Sequence, residues 1–418
     1  MSTAAELSAR GGARPDDKPD PARWGDLAQP PQAPVKAKIA AALFHRAVRS
    51  LPVRVVLPGG RTLGAGGAGA PEMRLHRPGA FFHRLGADAK IGFGEAYMVG
   101  DWTSQALADL LTVFAERLTV LIPPGLQNLR RFVERTQPDT EDNTIAGARH
   151  NIHRHYDLSN DMFSTFLDET MTYSSALFAP GSDDLADAQR RKIDSVLDYA
   201  AVGPDTHVLE IGTGWGALAI RAAQRGARVT SLTISTEQKA LAEQRIAAAG
   251  VADRVQVLLR DYREANGSYD AVVSVEMIEA VGARYWPVYF GTVGKLLRPG
   301  GRFGLQAITM PHDRMVATQS SYTWIHKYIF PGGIIPSVTA IEQAVAKNTS
   351  LRIRAFKDFG MDYARTLRKW RETFTTRSKE LGALGFDETF RRMWEFYLAY
   401  SEAGFRAGYL GVRQFSIG

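Results

Sequence analysis

The stretch that decides the fold is "THVLEIGTGWGALAIRAAQRGARVTSLTIS", residues 206–235. "THVLEIGTG" reads as an apolar strand that carries Glu210 near its end and runs into Gly212, Gly214 and Gly216. "WGALAIRAAQRG" has apolar residues at helical spacing and is closed by Gly226, and "ARVTSLTIS" is a second strand. Glycines at a strand-to-helix turn permit a tight reversal and let a ligand approach the backbone closely. The spacing is not the dinucleotide pattern G-x-G-x-x-G, because the third glycine comes one residue early. No Lys-Ser/Thr pair follows that would make a phosphate loop.

The same alternation continues downstream. "TEQKALAEQRIAAAG" is a helix closed by Gly250, "RVQVLLRDY" a strand and "YDAVVSVEMIE" another. The helix "RYWPVYFGTVGKLLRPGG" and the strand "RFGLQAITM" follow. Regular βαβ alternation predicts an α/β fold, a parallel sheet with helices on both faces. Ligands of such sheets bind at the carboxyl ends of the strands, which puts "IGTGWG", "TIS", "RDY", "EMIE" and "QAIT" on one rim. On that rim "VEMIEAVG" (275–282) sets Glu276 and Glu279 three apart among Val275, Met277, Ile278 and Val281. Carboxylates in an apolar stretch are costly unless something satisfies them.

The 418 residues leave room for a second, smaller domain. Residues 1–35, rich in Pro, Gly, Ala and charge, read as a disordered tail. Residues 36–135 read as a small α+β domain, 136–150 as a polar linker, and 151–418 as the large domain. Within the small domain "VKAKIAAALFHRAVRSL" has helical periodicity with basic residues between the apolar ones. It is read either as a helix packed on its own domain or as a surface that touches anionic lipid. "AKIGFGEAYMVGDWTSQALADLLTVFAERL" reads as a loop followed by a helix, with Asp101 or Thr103 as its cap.

A net charge of +7 points to anionic partners, but no basic arm or zinc-finger spacing supports nucleic acid. The chain has no cysteine, which excludes disulfides, thiolate nucleophiles and cysteine-ligated metals. Neither a signal-peptide pattern nor an apolar run long enough to span a bilayer is present, so the expectation is a cytoplasmic protein that meets a membrane from its inner surface. His150, His153 and His155 are dense enough to suggest a metal, but a packing role is the better reading and no metal is expected.

Several motifs, in fixed order from about residue 50 to the end, carry a family resemblance. They are "IGFGEAYMVGDW" (91–102), "HYDLSNDMFSTFLDETMTYSSALF" (155–178), "EIGTGWG", "LTISTEQ" (232–238) and "EMIEAVG". "KYIFPGGIIPS" (327–337), "FGMDYARTLRKW" (359–370) and "YSEAGFRAGYLGVRQ" (400–414) complete the set. The chain thereby resembles the class I S-adenosylmethionine-dependent methyltransferases, with a Rossmann-like, mainly parallel seven-stranded sheet. More closely it is similar to the cyclopropane-fatty-acid synthase and mycolic acid methyltransferase family. The resemblance implies S-adenosylmethionine as cofactor. It places Tyr173 and Ser174 over the methionine portion, and Glu210, Gly212, Gly214 and Gly216 at the first loop. Thr233, Ile234 and Gln238 fall by the ribose, Asp261 and Tyr262 by the adenine. Asp157 and Asn160 are read as pinning the lid-like segment 155–175.

Methyl addition to an alkene leaves a carbocation, which calls for aromatic faces or negative charge and then for a base. In cyclopropane-forming relatives the base is a bicarbonate held by Cys, Glu, His and Tyr. Those positions here are Ser175, Glu279, Gln306 and Tyr363, and Ala280 and Ser401 replace a further His and Cys. Position 276, often Gly in cyclopropane synthases, carries a carboxylate. Glu279 and Tyr363 are therefore the expected proton-accepting cage, directly or through bicarbonate, with Glu276 a second candidate base. Trp324, Tyr328 and Phe330 are read as facing the acyl chain or as core. Lys327 and the arginines at 130, 131, 149 and 154 are read as solvated charge rather than headgroup ligands.

The wording "SVEMIEAVG", "LQAITMPH" and "YLAYSEAGFRAGYL" resembles the actinobacterial tuberculostearic acid synthases. That resemblance implies a C-methyltransferase that turns an oleoyl-type phospholipid chain into a 10-methylene acyl chain. A separate flavin-type reductase would then saturate the product. Cyclopropane formation is the alternative, and self-association is left open. A non-catalytic lipid-binding protein and an amine N-methyltransferase are the readings from other classes.

Overall fold

The computed structural model describes residues 19–117, 138, 143–145, 147, 148 and 159–418. The chain divides into two compact units, Met1–Arg131 with Ser378–Tyr400, and Phe132–Arg377 with Ser401–Gly418. One part departs from the expected division: Ser378–Tyr400 groups with the N-terminal unit instead of with 151–418. A split of this kind leaves no polar linker in the sequence to betray it, because the helix Glu388–Arg406 runs through the second crossing.

In the N-terminal unit four short strands form a sheet in the order β2-β1-β3-β4. They are β1 (Arg54–Val56), β2 (Thr62–Leu63), β3 (Glu72–Leu75) and β4 (Trp102–Thr103). The tail expected over 1–35 is ordered in its described part. Pro21–Trp24 is helical, and Trp24 Nε1 donates to Asp387 Oδ2 at 2.7 Å. A second correction concerns the expected loop after residue 88. Ala89–Met98 is a helix, capped by the Asp88 carboxylate on the amides of Lys90 and Ile91. Gly92 lies against the backbone of Arg84, where an added Cβ would fall 2.1 Å from the Arg84 carbonyl oxygen. The glycines that argue for a loop are there to let two helices touch. Neither proposed cap serves the next helix, Leu107–Glu116. Asp101 is buried and takes Arg77 Nε at 2.7 Å and Arg84 Nε at 3.1 Å, and Thr103 lies in β4.

The second unit is built on a seven-stranded sheet ordered β10-β11-β9-β8-β5-β6-β7. Its parallel part comprises β5 (His207–Ile211), β6 (Arg228–Thr233), β7 (Val255–Leu259), β8 (Tyr269–Val275) and β9 (Leu297–Thr309). β10 (Ile353–Asp358) and β11 (Gly411–Ile417) are added antiparallel at one edge. One sheet face packs Leu209, Val272, Phe303 and Leu305 against the helices Trp286–Leu296 and Val338–Asn348. The other packs Val208, Ala271 and Val273 against Leu185–Tyr199 and Ala217–Gln224. With both faces covered, the strand ends are what the sheet offers to a ligand.

Candidate active site

The rim starts at the glycine turn after β5. Gly212, Gly214 and Gly216 have φ of +98°, +52° and +89°, a region that side-chain-bearing residues rarely adopt. A Cβ on Gly214 would meet nothing within 4 Å, and one on Gly212 only the Met277 side chain, at 3.6 Å. The turn thus holds open space at the carboxyl end of β5. Beneath it Glu210 is buried and receives Ser231 Oγ at 2.5 Å from the paired position on β6. Burial pushes its carboxyl up to about 8, against the opposing pull of Ser231 and Lys192. Its described work is to tie β5 to β6 below the turn.

At the end of β6, Thr233 Oγ1 donates to Gln238 Oε1 at 3.1 Å and accepts the Ser235 amide. Ile234 follows, half-buried, before Ser235 caps the helix Thr236–Ala248. After β7, both oxygens of Asp261 are engaged by Arg263, at 2.8 Å each. The expected adenine neighbour is therefore committed to an arginine. Tyr262 lies beside it, edge-on to Tyr289, with its buried hydroxyl unpartnered and pushed up to about 12 by burial.

The segment before the sheet closes over this rim. Ser159 caps Asn160–Ser164, and Asn160 Oδ1 takes the Trp215 indole N–H at 2.8 Å, so Asn160 pins the segment as expected. Tyr173 stands edge-on to Phe163 and tilted against Trp370, with ring centroids 5.1 and 5.3 Å apart. Ser174 is buried: its Oγ receives Lys192 Nζ at 2.5 Å, and its carbonyl receives Gln189 Nε2 at 2.9 Å.

The two glutamates are not equivalent. β8 ends at Val275, and Glu276 turns the chain with φ of +50°, a strained value for a residue with a side chain. That φ also gives a physical reason for glycine to suit this position. Glu276 Oε1 accepts the Ser175 amide at 2.9 Å and Gln306 Nε2 at 2.7 Å, and Oε2 accepts the Tyr363 hydroxyl at 2.7 Å. Three positions expected around Glu279 or a bicarbonate thus converge on Glu276. Ser175 contributes its amide; its hydroxyl donates to the Ala176 carbonyl. Burial raises the Glu276 carboxyl, opposed by Lys192, Tyr363, Gln306 and Ser175. Glu279 sits on the next helical turn, Ile278–Val281. Its Oε1 takes the Ile308 amide at 2.5 Å, and its buried Oε2 has no partner among the described residues. Burial, then repulsion from Glu276, push its carboxyl up to about 8.

Turn, capped strand ends and aromatic lid form a pocket rim suited to a nucleoside carrying a charged amino-acid tail. The open space at Gly212 and Gly214 and the unpartnered Tyr262 hydroxyl fit such a group. Fold and site define a class I S-adenosylmethionine-dependent methyltransferase. The family model described as mycolic acid cyclopropane synthetase matches residues 144–415, and the chain belongs to that family. It is 52% identical to the tuberculostearic acid methyltransferase UfaA1 of Mycobacterium tuberculosis, over 95% of this chain and 96% of that one. With the cyclopropane-fatty-acyl-phospholipid synthase of Escherichia coli it shares 34% identity, over 82% of this chain and 86% of that one. The mycolic acid cyclopropane synthase CmaA1, solved with SAH and CTAB, superposes with a TM-score of 0.60. It is 29% identical, covering 67% of this chain and 98% of that one.

Two buried polar residues of the site receive no role from the motifs: Lys192, which lies outside them, and Gln414, which ends one of them. Each carries a faint signal. Lys192 stands with Ala188, Ile193 and Val196 on the buried face of its helix, and Gln414 alternates inward between Val412 and Ser416 on β11. Trp324 is buried against Tyr328, and Lys327 lies over the Tyr328 ring. Asp157, His150, His153, His155 and the arginines at 130, 131, 149 and 154 lie outside the described residues. No described helix is long and apolar enough to cross a membrane.

Proposed function

We propose that this chain methylates the double bond of an unsaturated phospholipid acyl chain, that Glu276 takes the proton released, and that the product is a 10-methylene acyl chain. The convergence of Ser175, Gln306 and Tyr363 on the Glu276 carboxylate carries the reading. S-adenosylmethionine supplies an electrophilic methyl group when bound over the glycine turn. Tyr173, Thr233, Gln238 and Tyr262 are the residues that would hold it.

The chain's own residues do the rest. An alkene that gains a methyl becomes a carbocation, and the rings of Tyr363, Phe405, Trp370 and Tyr173 form one connected aromatic wall that favours such charge. A carboxylate offers about four lone-pair directions. Oε1 of Glu276 receives two donors and Oε2 one, which leaves Oε2 a direction for the incoming proton. Glu279 takes one described donor, the Ile308 amide, and burial with repulsion from Glu276 favours its protonated form, whereas three donors favour the charged form of Glu276. After a hydride shift to the former alkene carbon, loss of a proton from the new methyl to Glu276 gives the exocyclic methylene. Loss of that proton with ring closure gives a cyclopropane, the reading that the similarity to the Escherichia coli enzyme supports. Saturating a methylene needs a hydride and a proton, the task of a separate flavin-type reductase.

Because the Glu276 side chain already fills the three-donor cage, the wild-type chain works without bicarbonate. The test is proton NMR of lipids from a host that expresses the chain and is supplied with oleate. Vinylidene protons are expected, and upfield ring protons would overturn the methylene product. Glu276→Gln should cut turnover by about 100-fold or more, the usual worth of a positioned general base. Glu276→Gly relieves the positive φ and empties the cage, so added bicarbonate should restore part of its activity.

A further inference from the structure

Two side chains stand in register on neighbouring strands, and a third follows directly after the end of the next strand. Gln306 on β9 pairs with Gln414 on β11 and, on its other side, with Val275 of β8, next to Glu276. Side chains opposite one another on one sheet face are close enough to bond. Gln414 Nε2 donates to Gln306 Oε1 at 2.9 Å, and Gln306 Nε2 donates to Glu276 Oε1 at 2.7 Å. The far end is held by the helix Leu185–Tyr199. Gln414 Nε2 also donates to the Lys192 carbonyl at 3.0 Å, and Ser195 Oγ donates to Gln414 Oε1 at 2.6 Å.

The sense of this chain is set by groups that cannot reverse, the Lys192 carbonyl at the far end and the Ser175 carbonyl, which Gln306 Nε2 also reaches at a long 3.4 Å, at the near end. A backbone carbonyl only accepts, so the Gln414 atom facing Lys192 must be the NH2. Its second hydrogen then points at Gln306, whose facing atom must be the carbonyl oxygen. Gln306 is left with its NH2 toward Glu276. Without these constraints an amide can turn over, because its two ends have the same shape. Turned over, Gln306 would set a carbonyl oxygen against a carboxylate and disfavour its charge.

We infer that Gln414, held by the Lys192 carbonyl and Ser195, is a positioning residue that fixes the Gln306 amide so that it always donates to Glu276. This rests on the reading of Glu276 as the proton acceptor. The other groups facing that carboxylate are Lys192 across the fold, the Tyr363 hydroxyl and Glu279 on the following turn. None of them replaces the donor that Gln306 supplies.

The experiment measures turnover against pH with the full chain and vesicles of oleoyl phospholipid, and S-adenosylmethionine binding by calorimetry. Gln414→Met keeps the volume and removes the donor. Turnover should fall about tenfold, the order expected for one misdirected hydrogen bond to a charged group. The acidic limb of the profile should move to higher pH, while cofactor affinity stays as in the wild type. Gln306→Met should move the limb the same way, and the double variant should move it no further than Gln306→Met alone. An unmoved limb in Gln414→Met, or additive shifts, would overturn the inference. If Gln414→Met does not fold, Ser195→Ala decides: a smaller shift in the same direction supports the relay, and none sinks it. Full activity of Glu276→Gln would instead sink the base assignment itself.

Discussion

Glu276 and Glu279 show how little residue type says about role. They lie three residues apart on the same rim, yet one is wrapped in three donors and the other leaves a buried oxygen without a partner among the described residues. The second has a measurable consequence. Glu279 is raised from 4.5 to about 8, so the folded chain keeps a proton that the unfolded chain releases. Its stability contribution is full below the unfolded value and is lost as pH rises through about 8. Lys192 runs the other way: lowered from 10.5 to about 8, mainly by burial, its contribution is present above the unfolded value and lost as pH falls through about 8. Together they predict a stability minimum near pH 8. Glu210, also raised to about 8, adds to the same fall. Thermal denaturation across that window should therefore show the fall from acid to pH 8 reduced but not abolished in Glu279→Gln, and an unchanged slope would remove Glu279 as one of its sources. The motif resemblance makes both glutamates candidates. Their division of labour is invisible in it, because it depends on donors from Ser175 and Tyr363, about 100 positions away on either side.

At the scale of elements, the βαβ alternation is legible because apolar periodicity and closing glycines agree there. The error at Ala89–Met98 arises where they disagree. A glycine reads as a helix breaker by intrinsic propensity, and only the neighbouring helix reveals that Gly92 is needed for close approach. Gly92→Ala should therefore destabilise the chain by about 1–3 kcal/mol, the range for overpacking, despite alanine's better helix propensity. A denaturant midpoint equal to or above that of the wild type would show that the two helices can part without cost.

At the scale of the whole molecule, a net charge of +7 and a lipid substrate call for a face that meets anionic membranes. We propose the helix Pro34–Val48 for that face: Val35, Ile39 and Leu43, four residues apart, are exposed at 70%, 55% and 39%. Lys36, Lys38 and Arg46 are exposed along the same helix, and Arg49 follows at its C-cap. An apolar stripe flanked by basic residues suits the interface of an anionic bilayer. Ile39→Asp touches no core and should leave the fold intact, while lowering binding to anionic phospholipid vesicles by about tenfold, the worth of one buried aliphatic side chain. Co-sedimentation at low and high salt checks this, and equal binding of variant and wild type would assign the membrane face elsewhere.

Local pattern in the chain was sufficient for the parallel sheet, its ligand-bearing rim, the glycine turn and the family, since each is written within a few tens of consecutive residues. Tertiary structure alone decided the fate of Ser378–Tyr400 and the choice of Glu276 over Glu279 as the centre of the cage. The reason is physical. A carboxylate's charge state is set by desolvation and by the donors that reach it, and those here come from a lid, one other strand and a distant helix. Their meeting at one pair of oxygens is a property of strand register and packing, which no short stretch of sequence contains.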